Sequence, residues 1–128
     1  MRILLDTCTF LWIYADAEKL SQHAAQIFDS AETEVFLSPV SIWEIALKYS
    51  IGRLHLTEPP WEFVPRLRRA YGLRALPFED QAALQTARLP DIHKDPFDRI
   101  LICQAIVHRL AILTPDPQIA QYPVRTIW

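Results

Sequence analysis

Asp6, Glu44, Asp98 and Asp116 stand at the ends of apolar segments spread along a chain of 128 residues. Asp6 closes the run Arg2-Ile3-Leu4-Leu5, and Asp116 follows Leu110-Ala111-Ile112-Leu113-Thr114. Glu44 and Asp98 lie near the starts of two helical patterns. If the strands are parallel and helices return between them, all four carboxylates reach one edge of a sheet. Carboxylates crowded there repel one another and call for a hard divalent cation. The chemistry this suggests is metal-assisted hydrolysis, most naturally of a phosphodiester.

Each acid also has an ordinary role open to it. Asp6 can cap the helix that follows it. Glu44 has Lys48 one turn on as an i,i+4 ion-pair partner. Asp95 precedes Pro96 and reads as an N-cap with proline at the first helical position, and Asp98 then falls where the acid of a capping box would sit. Asp116, between Pro115 and Pro117, suits a turn. No single acid is decisive; their joint placement is what points to a site. Cys8 is a poor nucleophile candidate, because neighbouring carboxylates would raise its pKa. His93 lies in a loop and has either a metal-binding or a base role open to it; His23, His55 and His108 show no ligand spacing.

The elements that must position these residues alternate. Strands are expected at 2–5, 35–38, 73–76, 111–114 and 124–127. Between them, helices are expected at about 9–14, from Ser21 to Ser30, 40–49, 61–71, 79–88 and from Asp95 to about His108, with a short helix after Asp116. Gly52 and Gly72 serve as helix stops, and Pro65 fits its helix only in the first turn or at a kink. This order implies a single α/β domain over residues 1–128 with a mostly parallel sheet of about five strands.

With only two glycines, the chain can build neither a dinucleotide fingerprint nor a phosphate-cradling loop. A hydrophobic fraction of 51% is ample for a core, and the net charge of −2 does not advertise a nucleic-acid binder. Arg66, Arg68, Arg69 and Arg74 cluster, though a solvated helix face explains them as well as a binding patch does. No signal-peptide core, no membrane-length apolar stretch and only two cysteines lead to an expectation of a cytoplasmic protein.

Four ordered blocks resemble the PIN domains, and within them the VapC-type ribonuclease toxins of bacterial toxin–antitoxin pairs. They are Leu4-Leu5-Asp6-Thr7, then Ser38-Pro39-Val40-Ser41-Ile42-Trp43-Glu44-Ile45, then His93-Lys94-Asp95-Pro96-Phe97-Asp98-Arg99-Ile100-Leu101-Ile102, and Leu113-Thr114-Pro115-Asp116. The resemblance spans the whole chain. It implies a three-layer α/β/α PIN-like fold and an endoribonuclease dependent on Mg2+ or Mn2+. It also implies a homodimer and inhibition by a small cognate antitoxin. The family's metal ligands and catalytic acids carry over to Asp6, Glu44, Asp98 and Asp116. Thr7, Thr114 and Asp95 stand beside them as residues that orient the carboxylates, and Arg99 as a contact for an RNA phosphate. Cys8 departs from the asparagine or histidine common at its position. Phospho-receiver and haloacid-dehalogenase-type domains fit poorly, since both need a further acid near Asp6 that is missing. The competing reading is a catalytically inactive PIN-like domain for protein interaction or RNA binding.

Overall fold

Unbroken apolar runs, with nearly every side chain in the central strands buried, produce a sheet covered on both faces. The computed structural model describes residues 1–128. Its strands are β1 (Arg2–Leu5), β2 (Glu34–Leu37), β3 (Arg74–Ala75), β4 (Ala111–Leu113) and β5 (Thr126–Ile127), all parallel, in the order β3-β2-β1-β4-β5. The helices are α1 (Thr7–Ala15), α2 (Gln22–Asp29), α3 (Pro39–Ser50), α4 (Pro60–Tyr71), α5 (Asp80–Gln85) and α6 (Pro96–His108). Short 3-10 turns follow α1, α5 and β4.

Two separate cores follow from the period-two pleat. Ile3, Leu5, Val35, Leu37, Ala111 and Leu113 face one way and pack with Phe10 and Ile13 of α1, Ala24 of α2, Ile45 of α3 and Phe63 of α4. Leu4, Phe36 and Ile112 face the other way, against Ala82 of α5 and Leu101, Ile102 and Ala105 of α6. The result is the expected three-layer α/β/α arrangement, with an all-parallel sheet. No helix is long and apolar enough to cross a membrane.

The differences from expectation are local. Strand β3 is two residues rather than four, because the Leu73 N–H is already spent on the Arg68 carbonyl at the end of α4. Strand β5 is similarly short, the Val124 N–H turning back to the Tyr122 carbonyl. Pro65 lies past the first turn of α4. The carbonyl it cannot serve is that of Trp61, a residue 70% exposed, where water can take the place of the missing donor. Gly72 ends α4 at φ +63, a conformation that costs other residues more.

Candidate active site

Strand order reverses beside β1: β2 and β3 continue on one side and β4 and β5 on the other. In such sheets a crevice opens at the carboxyl ends of the strands flanking the reversal. Here those strands are β1 and β4, and the residues leaving them are Asp6 and, through Thr114 and Pro115, Asp116. Helix α3 begins with Ser38 as its cap and Pro39 in its first turn, and carries Glu44 on the buried face that also holds Val40, Ser41 and Ile45. Helix α6 begins at the same edge, capped by Asp95, with Asp98 in its first turn. Asp6, Glu44, Asp98 and Asp116 thus line one cleft of about 430 Å3, shared with Thr7, Cys8, Lys48, Arg53 and Asp95.

The ordinary role of most of these acids is also met, and the two sets of observations are compatible. Asp6 Oδ1 caps α1 by accepting the Thr9 N–H at 2.7 Å, while its Oδ2 accepts the Thr114 hydroxyl at 2.5 Å. One buried carboxylate therefore ties the exits of β1 and β4 together. Burial raises its pKa, the bonds from Thr114 and Thr9 pull the other way, and the charge of Asp116 adds to the rise. Thr114 also accepts the Asp116 N–H at 3.1 Å, so a single hydroxyl sets the spacing of two acids. Asp116 Oδ1 accepts the Gln118 N–H, as a turn residue would.

Glu44 is 5% exposed. Its Oε2 meets Lys48 Nζ at 2.5 Å, and its Oε1 is buried with no hydrogen-bond partner. A buried carboxylate oxygen left bare is costly unless a ligand or water completes it. Asp98 is pushed up to about 6, first by burial and then by the charges of Asp95, Glu44 and Asp6, against a lowering hydrogen bond from His93. Asp95 Oδ1 accepts the N–H groups of Phe97 and Asp98, a capping role that fixes the turn presenting Asp98. Cys8 is pushed up to about 11 by desolvation and the nearby Asp6, which leaves it a thiol at neutral pH.

Two expected roles are not met by the geometry. The Thr7 hydroxyl donates to Ser41 Oγ at 3.0 Å, joining α1 to α3 rather than reaching a carboxylate. Arg99 lies outside the cleft lining; its guanidinium donates to the carbonyls of Thr86, Pro90 and His93 and to the Tyr122 hydroxyl. Four acceptors within the fold make it a brace for the segment before α6, not a free cation for phosphate. Two of the three arginines of α4 are occupied as well. Arg66 pairs with Glu58, and Arg68 donates to the carbonyls of Leu73 and Leu37.

Sequence reasoning passed over Arg53 and Lys48 as cleft residues and leaves His93 open between a metal-binding and a base role. Arg53 lines the cleft with no ion-pair partner, carried there just after Gly52, whose φ of +75 turns the chain off α3. Lys48 reads from spacing as an ion-pair partner, not as part of a site. His93 Nε2 lies 2.8 Å from Asp98 Oδ2, and ligand atoms of His93, Asp98 and Asp116 all fall within 4.8 Å of one another.

Residues 3–124 match the PIN domain family. Over 131 aligned residues the chain is 28% identical to Ribonuclease VapC22 of Mycobacterium tuberculosis, covering 98% of each protein. Its fold is similar to that of VapBC2 from Rickettsia felis bound to a DNA fragment from its promoter, with a TM-score of 0.73 and 12% identity, covering 100% of this chain and 99% of that one. It is also similar to DNA-bound VapBC from Salmonella typhimurium, with a TM-score of 0.70 and 17% identity, covering 99% and 97%. At those identities the solved structures speak for the shared fold.

Proposed function

The chain belongs to the PIN-domain family, and on that premise we propose that it is a metal-dependent endoribonuclease acting as the toxin of a toxin–antitoxin pair. The observation that carries the reading is the convergence of Asp6, Glu44, Asp98 and Asp116, from four separate segments, on one cleft at the strand reversal. A relative that is a ribonuclease by name and neighbours that are VapBC assemblies support the same reading.

The residues fit a divalent metal ion. Their donors are carboxylate oxygens, hard ligands suited to Mg2+ or Mn2+, and Glu44 Oε1 is a buried oxygen awaiting a partner. Asp6, Glu44, Asp98 and Asp116 would hold the ion. When bound, such an ion supplies polarisation of the scissile phosphate and a lower pKa for a coordinated water. Thr114 keeps the Asp6 carboxylate oriented from outside the cleft. Glu44 or Asp98 accepts the proton of the attacking water. With Arg99 spent on the fold and Lys48 paired with Glu44, Arg53 is the cleft cation left to meet the RNA backbone.

The substrate is an unpaired RNA segment, since bases and backbone in a loop can enter a cleft that a duplex cannot. Residues 1–128 act as one domain, paired with a second copy and restrained by a small antitoxin in the cytoplasm.

Cleavage of a pool of structured RNAs tests this. Wild-type protein is expected to cut with Mg2+ or Mn2+ and to stop on chelation. Asp6→Asn and Asp98→Asn are expected to lose at least about 100-fold, the upper end of what even the outer partners of a metal site cost. Asparagine caps a helix as well as aspartate does, so Asp6→Asn keeps α1 in place. A wild type that cuts nothing in the pool, or variants that cut as fast, would leave the inactive interaction domain as the better reading.

A further inference from the structure

His93 is not one of the four acids, yet it is built into the same site. Its Nε2 lies 2.8 Å from Asp98 Oδ2, and the ligand atoms of His93, Asp98 and Asp116 lie within 4.8 Å of one another. Two adjacent ligands on an octahedral ion at about 2.1 Å stand about 3 Å apart, and opposite ones about 4.2 Å. The His93–Asp98 separation is that of adjacent ligands, and the widest separation, up to 4.8 Å, would have to close by about 0.6 Å for all three to share one ion.

The placement of the imidazole is enforced from behind. The His93 N–H donates to the Tyr122 hydroxyl at 2.7 Å, and its carbonyl accepts from Arg99 Nη1 and from the Tyr122 hydroxyl, each at 3.3 Å. Arg99 in turn holds the carbonyls of Thr86 and Pro90. Both main-chain groups of this loop residue are thus pinned, and its ring is held against Asp98, a lining residue of the cleft, by a rigid support. Glu44, which lines the cleft with Asp98 and Asp116, has a buried and unpartnered Oε1, an independent sign that the cleft takes a ligand.

We propose that His93 supplies a nitrogen ligand to the divalent ion held by the acids, making a mixed nitrogen–oxygen site that selects Mn2+ over Mg2+. The proposal rests on the metal-dependent reading above. Mg2+ takes oxygen donors and keeps much of its water, so an imidazole adds little to its binding. Imidazole nitrogen suits the later first-row ions best; Mn2+ shares the preference of Mg2+ for oxygen but, as the first member of that series, gains more from an added nitrogen than Mg2+ does. The simpler use of the same geometry is a hydrogen bond that only orients Asp98, and the two differ in what the bound ion senses.

Pulsed electron paramagnetic resonance of Mn2+ bound to the full chain distinguishes them. Wild type is expected to show hyperfine coupling to an imidazole nitrogen, and His93→Gln to lack it. By competition titration, the Mn2+ to Mg2+ affinity ratio is expected to fall about tenfold in His93→Gln. Glutamine retains a donor for Asp98, so a purely orienting histidine would leave that ratio unchanged. Bound Mn2+ without nitrogen coupling in wild type overturns the proposal and leaves the metal centre standing, a result that needs no variant to fold. Coupling that persists in His93→Gln comes from another nitrogen and also overturns it. If Mn2+ does not bind a chain whose circular dichroism is that of a folded α/β protein, both the ligand role and the metal reading fail.

Discussion

The two edges of the sheet carry opposite charges in opposite circumstances. Where the strands end, Asp6 and Glu44 are buried, Asp98 is mostly so, and the Asp6–Thr114 bond ties together the exits of two strands distant in sequence. Where the strands begin, a larger hollow of about 660 Å3 is lined by Arg2, Arg109 and Arg125, all exposed. Arg2 reaches the His108 carbonyl, Glu34 and the face of the Phe36 ring. Solvated cations at a rim cost the fold little, and nothing forces them to be there. Buried anions facing one another raise the energy of the ion-free fold, and persist where something else depends on them. Hollow size alone would have chosen the wrong edge.

The largest effect that bears on this contrast is on stability. Burial raises the folded-state pKa of Asp98 to about 6, above its ordinary value of 3.8. Between those values the folded state binds more protons than the unfolded state, so stability falls as pH rises from about 4 to about 6. Asp6 shifts in the same direction. In chelator, Asp98→Asn is expected to remove the Asp98 share of this decline, at most about 3 kcal/mol at 1.36 kcal/mol per unit. Thermal unfolding across that pH range checks it; parallel profiles for wild type and variant would mean that the acid edge carries no such cost.

Next in size is Thr114→Val, which keeps the shape of the side chain and deletes the hydroxyl shared by Asp6 and Asp116. Cleavage is expected to slow about 10- to 100-fold, while Arg125→Ala at the opposite edge leaves the rate alone. Equal losses from the two would erase the distinction between the edges.

Arg53→Ala should act on binding and not on the chemical step. KM is expected to rise several-fold with kcat held, and the slope of log affinity against log salt to flatten by about one. A kcat loss without a salt effect would remove Arg53 from the RNA path.

The smallest effect lies at the arginine edge. Arg109 ends α6 in the left-handed region at φ 56, the one non-glycine residue of the chain with positive φ. Arg109→Gly is expected to stabilise the protein by about 1 kcal/mol, since the left-handed conformation costs other residues about that much. RNA cleavage should not change. A drop in activity would show that this edge takes part after all.

What the sequence made legible follows from which interactions are local. Strand–helix alternation, the Asp95-Pro96 helix start and the Gly72 stop are signals within a few residues, and each falls where expected; α3 starts at Pro39, one residue early, with Ser38 as its cap and not as the end of β2. The convergence of four acids was inferred from the order of strands and helices, because a parallel sheet leaves little choice about where strand ends go. Roles set by contacts distant in sequence stayed hidden. Arg99 reads as a helix-surface cation until Thr86 and Tyr122 are seen to claim it. Thr7 sits beside Asp6 in the chain but turns to Ser41 on another helix. His93 lies in a loop without periodicity, so the sequence leaves its metal-binding or base role open, and the structure sets its ring 2.8 Å from Asp98.

The outer strands β3 and β5 are only two residues long. Each leaves hardly any unpaired backbone along the sides of the sheet, so another chain finds no ladder to extend. Sheet-to-sheet joining is thereby closed off, both as a mode of assembly and as a route to aggregation. Any protein that docks here must grip side chains on the helical layers, where Trp43 and Trp61 stand out into solvent.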